Sequence, residues 1–198
     1  MKAPAFATFS VVPLAPLWRE RTALHHWAVP LAVERAVELV STQLLSLDEL
    51  ARAARFHFPV DRGRYTVARA ALRLLLGLYL EQPARTLQFS YGPYGKPDLS
   101  IAEGGNLHFN LTHSGDLAVI AITGLGAVGV DVEVCRSVSD FRGLAARFLA
   151  AEEQVLLELP DEAAALKAFF LCWTRKEAVL KALGTGLATD PEQVVVMA

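Results

Sequence analysis

Hydrophobic and polar positions change their period several times along the 198-residue chain. The short apolar run at 6–12 predicts an opening strand, and 13–30 reads as irregular. Pro30 is placed to open a helix reaching about residue 44. Ser46 and Glu49 have capping-box spacing and predict a helix to about 56, which Pro59 interrupts. From about 61 to 80 a long helix is expected, with Val67, Ala71, Leu74 and Leu78 as its apolar stripe. Residues 87–91 read as a strand and 92–97 as a turn cluster. Three strand-like runs follow at 107–111, 117–123 and 127–134, separated by glycine-containing turns. Helices are expected over 139–159 and 163–183, the second stopped by Gly184 and Gly186. A further strand begins at 193. Strands and helices do not alternate regularly, which predicts an α+β architecture and not a doubly wound sheet.

Composition narrows the class. The chain is 53% hydrophobic and 20% charged, the balance of a globular protein. Its net charge of −2 hides an asymmetry: residues 1–98 carry 12 Lys and Arg against 8 Asp and Glu, residues 99–198 carry 7 against 13. A basic half facing an acidic half suits a phosphate-rich ligand on one side and a metal on the other; it is also what scattered surface charge produces. Cys135 and Cys172 form no CxxC pair, which argues against a disulfide framework or zinc site and fits a reducing cytoplasm. The longest apolar run, 74–80, is too short to cross a bilayer. Pro4, Pro13 and Pro16 break any signal-peptide core. Walker and GxGxxG loops are absent, so nucleoside-triphosphate and dinucleotide readings lack support.

Four stretches carry candidate chemistry. In 129–134, Gly-Val-Asp-Val-Glu-Val, strand alternation puts Asp131 and Glu133 on one face and the valines on the other. Paired carboxylates suit a hard divalent cation; two solvated acids are the plainer alternative. On the helix beginning Trp173-Thr174-Arg175-Lys176, positions 173, 177 and 181 share a face. Glu177 and Lys181 could be an ordinary i,i+4 ion pair. Beside so many apolar residues they could equally give a third carboxylate to a cation and a positive charge to a transferring phosphate. Thr112, His113 and Ser114 end a strand in a small polar turn able to bind an anion or order a loop. Lys96, between Gly95 and Pro97, could meet phosphate or solvent. Arginines 52, 55, 62, 64, 69 and 73, with Asp61 the one acid among them, predict a basic helical surface for phosphates or an acidic protein.

In this order the pieces resemble the 4′-phosphopantetheinyl transferases of the surfactin-synthetase-activating type, from about 52 to 187. The matching pieces are Gly95-Lys96-Pro97, then Phe109-Asn110-Leu111-Thr112-His113-Ser114, and Gly129 to Glu133. Arg147-Phe148 with Glu152 and Glu153 follow, and last Trp173 to Lys181 with Gly184 and Gly186. Each is weak alone; five in sequence are specific. Thr112 stands where the family has serine and keeps the hydroxyl. The segment before Arg52 has Asp48 and Glu49 where lysines are frequent.

The resemblance implies an α+β fold of two similar lobes with the active site in the cleft between them, in a monomeric cytoplasmic enzyme. Residues 1–105 would form a basic lobe for coenzyme A and carrier docking, and 106–198 a metal-binding lobe shortened at its C-terminus relative to the family pattern. Asp131, Glu133 and Glu177 would hold Mg2+, or Mn2+, with the pyrophosphate of coenzyme A. Lys96, Thr112 and His113 would grip the adenosine end, with help from Arg52 and Arg64, and Lys176 and Lys181 would contact phosphates. Glu153 or Glu177 would deprotonate a serine of an apo acyl or peptidyl carrier protein. That serine would attack the β-phosphorus, releasing adenosine 3′,5′-bisphosphate. No nucleic-acid or membrane partner is implied. Two rivals stand beside this reading: a coenzyme A or carrier-protein binder without transfer, and a metal-dependent nuclease using the arginine helices.

Overall fold

The computed structural model describes residues 23–32, 34–99 and 106–196. The strand expected at 6–12 lies outside them. Three antiparallel strands form the main sheet: β1 (Leu24–Pro30), β4 (His108–Ser114) and β5 (Leu117–Thr123), in the order β1-β5-β4. Pro30 therefore ends a strand, opposite Leu117, where a helix start was expected. The alternation in β1 is masked by its chemistry: His25 takes a half-buried position beside those of Trp27 and Val29. A second, two-stranded sheet pairs β2 (Phe89–Tyr91) with β3 (Pro97–Leu99) across the Gly-Lys-Pro turn.

Helices α1 (Arg35–Thr42) and α2 (Leu47–Ala53) lead into the long α3 (Pro59–Leu80). Ser46 and Glu49 form the expected capping box at the start of α2. Pro59 occupies the first turn of α3, where its missing amide costs nothing, so it begins the long helix. The face of α3 that packs on the sheet is Val67, Ala68, Leu72, Leu76 and Tyr79, with Ala71 at its margin, so the expected stripe is met in its first half only. Val67 is buried, but Leu74 and Leu78 are 47% and 57% exposed. In a segment reading Leu-Arg-Leu-Leu-Leu-Gly-Leu-Tyr-Leu more than one helical stripe fits the apolar pattern, and the sheet selects one. Leu72, Leu76 and Tyr79 meet Phe109, Ile120, Ile122, Leu87, Leu99 and Leu107 in the main core.

One buried ionic cluster welds this half together. Glu49 accepts from Arg69 Nε at 2.7 Å and Arg73 Nε at 2.5 Å. Arg73 also donates to the carbonyls of Ala84 and Leu87, and both guanidiniums lie over the Phe89 ring. Two of the six arginines expected on a basic surface are thus interior.

Beyond β5, the helix expected over 139–159 is broken into α4 (Phe141–Phe148), α5 (Ala151–Gln154) and a 3-10 turn, Val155–Leu157. The long α6 (Glu162–Leu183) is N-capped by Asp161 and ends at Gly184 with φ 73°. Phe141, Ala145, Leu149, Leu157, Ala165, Phe169, Phe170 and Cys172 make a second core. The strand expected from 193 is, over the described residues, a 3-10 turn at Pro191–Gln193 followed by irregular chain.

The run 127–134 is not a laddered strand either. Two of its amides are taken by side chains: Val130 N donates to Asn110 Oδ1 at 2.9 Å and Val134 N to Ser114 Oγ at 3.1 Å. It lies between β4 and α6, so close to the helix that a Cβ on Gly129 would stand 1.8 Å from the Ala178 carbonyl oxygen. No helix among the described residues is long and apolar enough to cross a membrane.

Candidate active site

The site is built on the two faces of edge strand β4. A strand points successive side chains to opposite sides. Asn110, Thr112 and Ser114 face the 127–134 run, while Leu111 and His113 line a surface trough. The tight turn that starts β5 requires Gly115, which has φ 54° and would press a Cβ to 2.9 Å from Val134.

On the first face Thr112 Oγ1 donates to Asp131 Oδ1 at 2.9 Å, and Ser114 Oγ donates to Glu133 Oε2 at 2.8 Å. From α6, Lys181 Nζ donates to Asp131 Oδ1 at 2.5 Å and to Thr112 Oγ1 at 3.1 Å. The Asp131 side chain is 4% exposed, and its second oxygen is buried without a hydrogen-bond partner. Glu177, one turn before Lys181, senses both acids. Its carboxyl is held above the usual glutamate range, first by burial and then by Asp131 and Glu133, against the opposing pull of Lys181.

Among the described residues, no three His, Cys, Asp or Glu side chains stand close enough to chelate an ion unaided. The donors nonetheless fit a hard divalent cation. Magnesium is commonly held by one or two carboxylates, with water and substrate phosphate completing its shell. An orphaned carboxylate oxygen on Asp131, beside two further acids, offers that kind of partial shell.

The other face of β4 borders a chain of three cavities that share lining residues. The first, about 680 Å³, lies by Arg52, Arg55, Phe56 and Tyr91. The second, about 210 Å³, shares Arg52, Phe56 and Tyr91 and adds Gly95, Leu111 and His113. The third, about 180 Å³, runs from Gly95 and Leu111 past Lys96 to Lys181 and Gly184. The trough therefore runs from Arg52 of α2 and Arg55 just beyond it to the lysine that touches Asp131. Within it, desolvation pushes His113 below the ordinary imidazole value, helped by the positive charges of Lys181 and Arg64. Lys96 Nζ donates to the carbonyls of Val128 and Ala182, which fixes the Gly-Lys-Pro turn against both the 127–134 run and the end of α6. Burial lowers its pKa, with Asp98 opposing.

The expected site residues thus separate into groups. Asp131, Thr112 and Lys181 are in direct contact, Glu133 and Glu177 border them, and Lys96, His113 and Arg52 line the trough. Arg64 is occupied by Asp116 at 2.7 Å and Asp61 at 3.3 Å, near His113 but with its charge compensated. Glu153 and Lys176 stand apart. Both are fully buried and pair at 2.6 Å. Lys176 Nζ donates to the carbonyls of Pro191 and Val194, and Glu153 accepts from the amides of Ala150 and Val196. With every charge internally matched, this pair fastens residues 191–196 to α5 and α6 and has no face toward the trough. Residue spacing placed Ser114 in a polar turn without linking it to Glu133, and it gave Asn110 no role of its own. The signal was present, since three polar side chains at alternate positions mark one face of a strand.

A further cavity of about 270 Å³ lies beyond Glu133, lined by Phe148, Phe169, Phe170 and Trp173. The face of α6 that carries Glu177 and Lys181 thus continues into an apolar recess at Trp173.

Comparison with known proteins gives the family. Residues 127–197 match the model of the 4′-phosphopantetheinyl transferase superfamily, and residues 34–124 match that of the 4′-phosphopantetheinyl transferase N-terminal region. The chain is 45% identical over 168 residues to the 4′-phosphopantetheinyl transferase HetI of Nostoc sp., covering 83% of this chain and 70% of HetI. It is 40% identical over 152 residues to slr0495 of Synechocystis sp., covering 77% of this chain and 62% of that protein. To the 4′-phosphopantetheinyl transferase psf-1 of Bacillus pumilus it is 32% identical over 145 residues, covering 73% and 60%. The α+β fold, the matched models and the identity to HetI across most of both chains establish that this chain belongs to the 4′-phosphopantetheinyl transferase superfamily.

Proposed function

We propose that the chain transfers the 4′-phosphopantetheine group of coenzyme A to a serine of an apo carrier protein, with Mg2+ as the metal. The observation that carries this reading is the meeting of Asp131, Thr112 and Lys181 at the end of the trough, with Glu133 and Glu177 beside them. Asp131, Glu133 and Glu177 hold the cation, which when bound offsets negative charge on the pyrophosphate. The trough accepts the nucleotide end, with Arg52 and His113 along its length. Lys181 and Lys96 supply positive charge where it narrows. Thr112 orients Asp131 and does not itself grip the nucleotide, since its hydroxyl proton is committed to that carboxylate.

The bond formed joins the serine oxygen to the β-phosphorus, and the bond broken frees adenosine 3′,5′-bisphosphate. The serine proton goes to Glu177. Of the two candidate carboxylates, Glu177 borders Asp131 and Glu133, whereas Glu153 is sealed in the interior with Lys176. In this scheme residues 1–105 supply the trough's basic wall and 106–198 the carboxylates.

Intact-protein mass spectrometry tests the reading. Protein, Mg2+, coenzyme A and a panel of apo carrier proteins are mixed. The expected result is a gain of one phosphopantetheine on a carrier, lost with EDTA and with Asp131→Ala. A folded wild-type protein that modifies no carrier yet binds coenzyme A would favour the binding-only alternative.

A further inference from the structure

Lys181 stands at the junction of the two halves of the site. It lines the trough's narrow end with Lys96 and Gly184. Yet its ammonium is bonded to Asp131 Oδ1, and the threonine hydroxyl that orients Asp131 is its second acceptor. Two of its three N–H groups are thus engaged by the carboxylate side, and the side chain remains 28% exposed. An ammonium on a carboxylate 4% exposed does what a metal ion does there: it neutralises a charge whose burial would otherwise be costly.

From this geometry we infer that Lys181 is an exchangeable counter-ion, which occupies Asp131 and must yield it when a divalent cation binds. The released ammonium then faces the trough, where a phosphate is its natural acceptor. Cation entry and phosphate capture become one coupled swap, because the same ammonium cannot serve both carboxylate and phosphate fully. The inference rests on the carboxylate assignment made above, but its sign differs from a simple supporting role. A lysine that only aids binding would weaken the site when removed. A competing counter-ion strengthens it when removed, since a positive charge a few ångströms from the cation is lost.

Calorimetric titration with Mn2+ alone, on the full chain without coenzyme A, reads this directly. Lys181→Met is expected to bind Mn2+ at least about fivefold more tightly than wild type. Lys181→Arg, which keeps the charge, should stay near wild type, and Asp131→Asn should lose binding. If Lys181→Met binds equally or more weakly while Asp131→Asn loses binding, the counter-ion role is overturned and the carboxylate assignment survives. If neither wild type nor Lys181→Met binds Mn2+, both fall together.

A second measurement avoids the risk that Lys181→Met misfolds. The Nζ resonance of Lys181, assigned by its disappearance in Lys181→Arg, should shift on saturation with Mg2+ alone. A resonance that stays fixed would overturn the proposal.

Discussion

At the scale of single residues, the site works by forcing like charges together. Glu177 is the clearest case, because burial and then the neighbouring acids raise its pKa. A raised folded-state pKa favours the folded protein while the group is protonated. That contribution is fully present below the unfolded pKa and is lost as pH rises through the folded one. Above its raised pKa, Glu177 therefore burdens the metal-free fold. Glu177→Gln is expected to melt higher than wild type at pH 7 in EDTA, with the difference fading near pH 4, as thermal scans would show. The same variant should lose transfer. In wild type, transfer should fall at low pH as Glu177 takes up a proton, an acid limb readable from the rate of carrier modification. Higher stability with lost activity is the signature of a group kept for chemistry.

At the scale of elements, contacts that position the site come from places that do not look catalytic. Gly129 lets the 127–134 run lie against α6. Gly129→Ala has no room, so the run must move and the Asp131–Lys181 contact open. The expectation is a loss of at least about tenfold in transfer rate, with helix content by circular dichroism retained. Glu49 is held below the usual glutamate range: burial would raise it, but Arg69, the Ser46 amide and Arg73 outweigh that. Its stabilising effect is present above the unfolded pKa and is lost as pH falls through the folded one. Glu49→Ala strands two buried arginines and is expected to cost about 3–5 kcal/mol in urea unfolding.

These same elements show what the sequence made legible. The capping box at Ser46 and the stop at Gly184 follow from local chemistry, and they appear where spacing put them. Strand β1 escaped because two histidines obscure an alternation that only its pairing with β5 makes visible. The 127–134 run has strand-like alternation, yet side chains of β4, not a partner backbone, take the amides of Val130 and Val134. Lys176 and Glu177 are adjacent on α6, so helical geometry turns them to different faces, one inward to Glu153 and one toward Asp131. Motif identity could not separate their roles, because the partner that decides each lies far away in sequence.

At the scale of the whole molecule, the two cores are supplemented by a few polar fastenings. The Glu153–Lys176 pair is one, since it gathers α5, α6 and residues 191–196. Lys176→Met removes a donor to two carbonyls and leaves Glu153 charged in the interior. The expected cost is about 3–5 kcal/mol in stability, with amide exchange at Val196 rising earlier than in the main core. Preserved exchange at Val196 would show that the pair does not hold that segment.

The pairing of β1 with β5 also sets a timetable. The Thr123 hydroxyl bonded to the Ala23 carbonyl closes a loop of 100 residues. On a ribosome adding about 5–20 residues per second, β1 waits roughly 5–20 seconds for its neighbour to be made. During that interval its Trp27 and Val29 have no sheet to cover them. A newborn chain is thus open to chaperones, and to mispairing with another nascent copy, at β1.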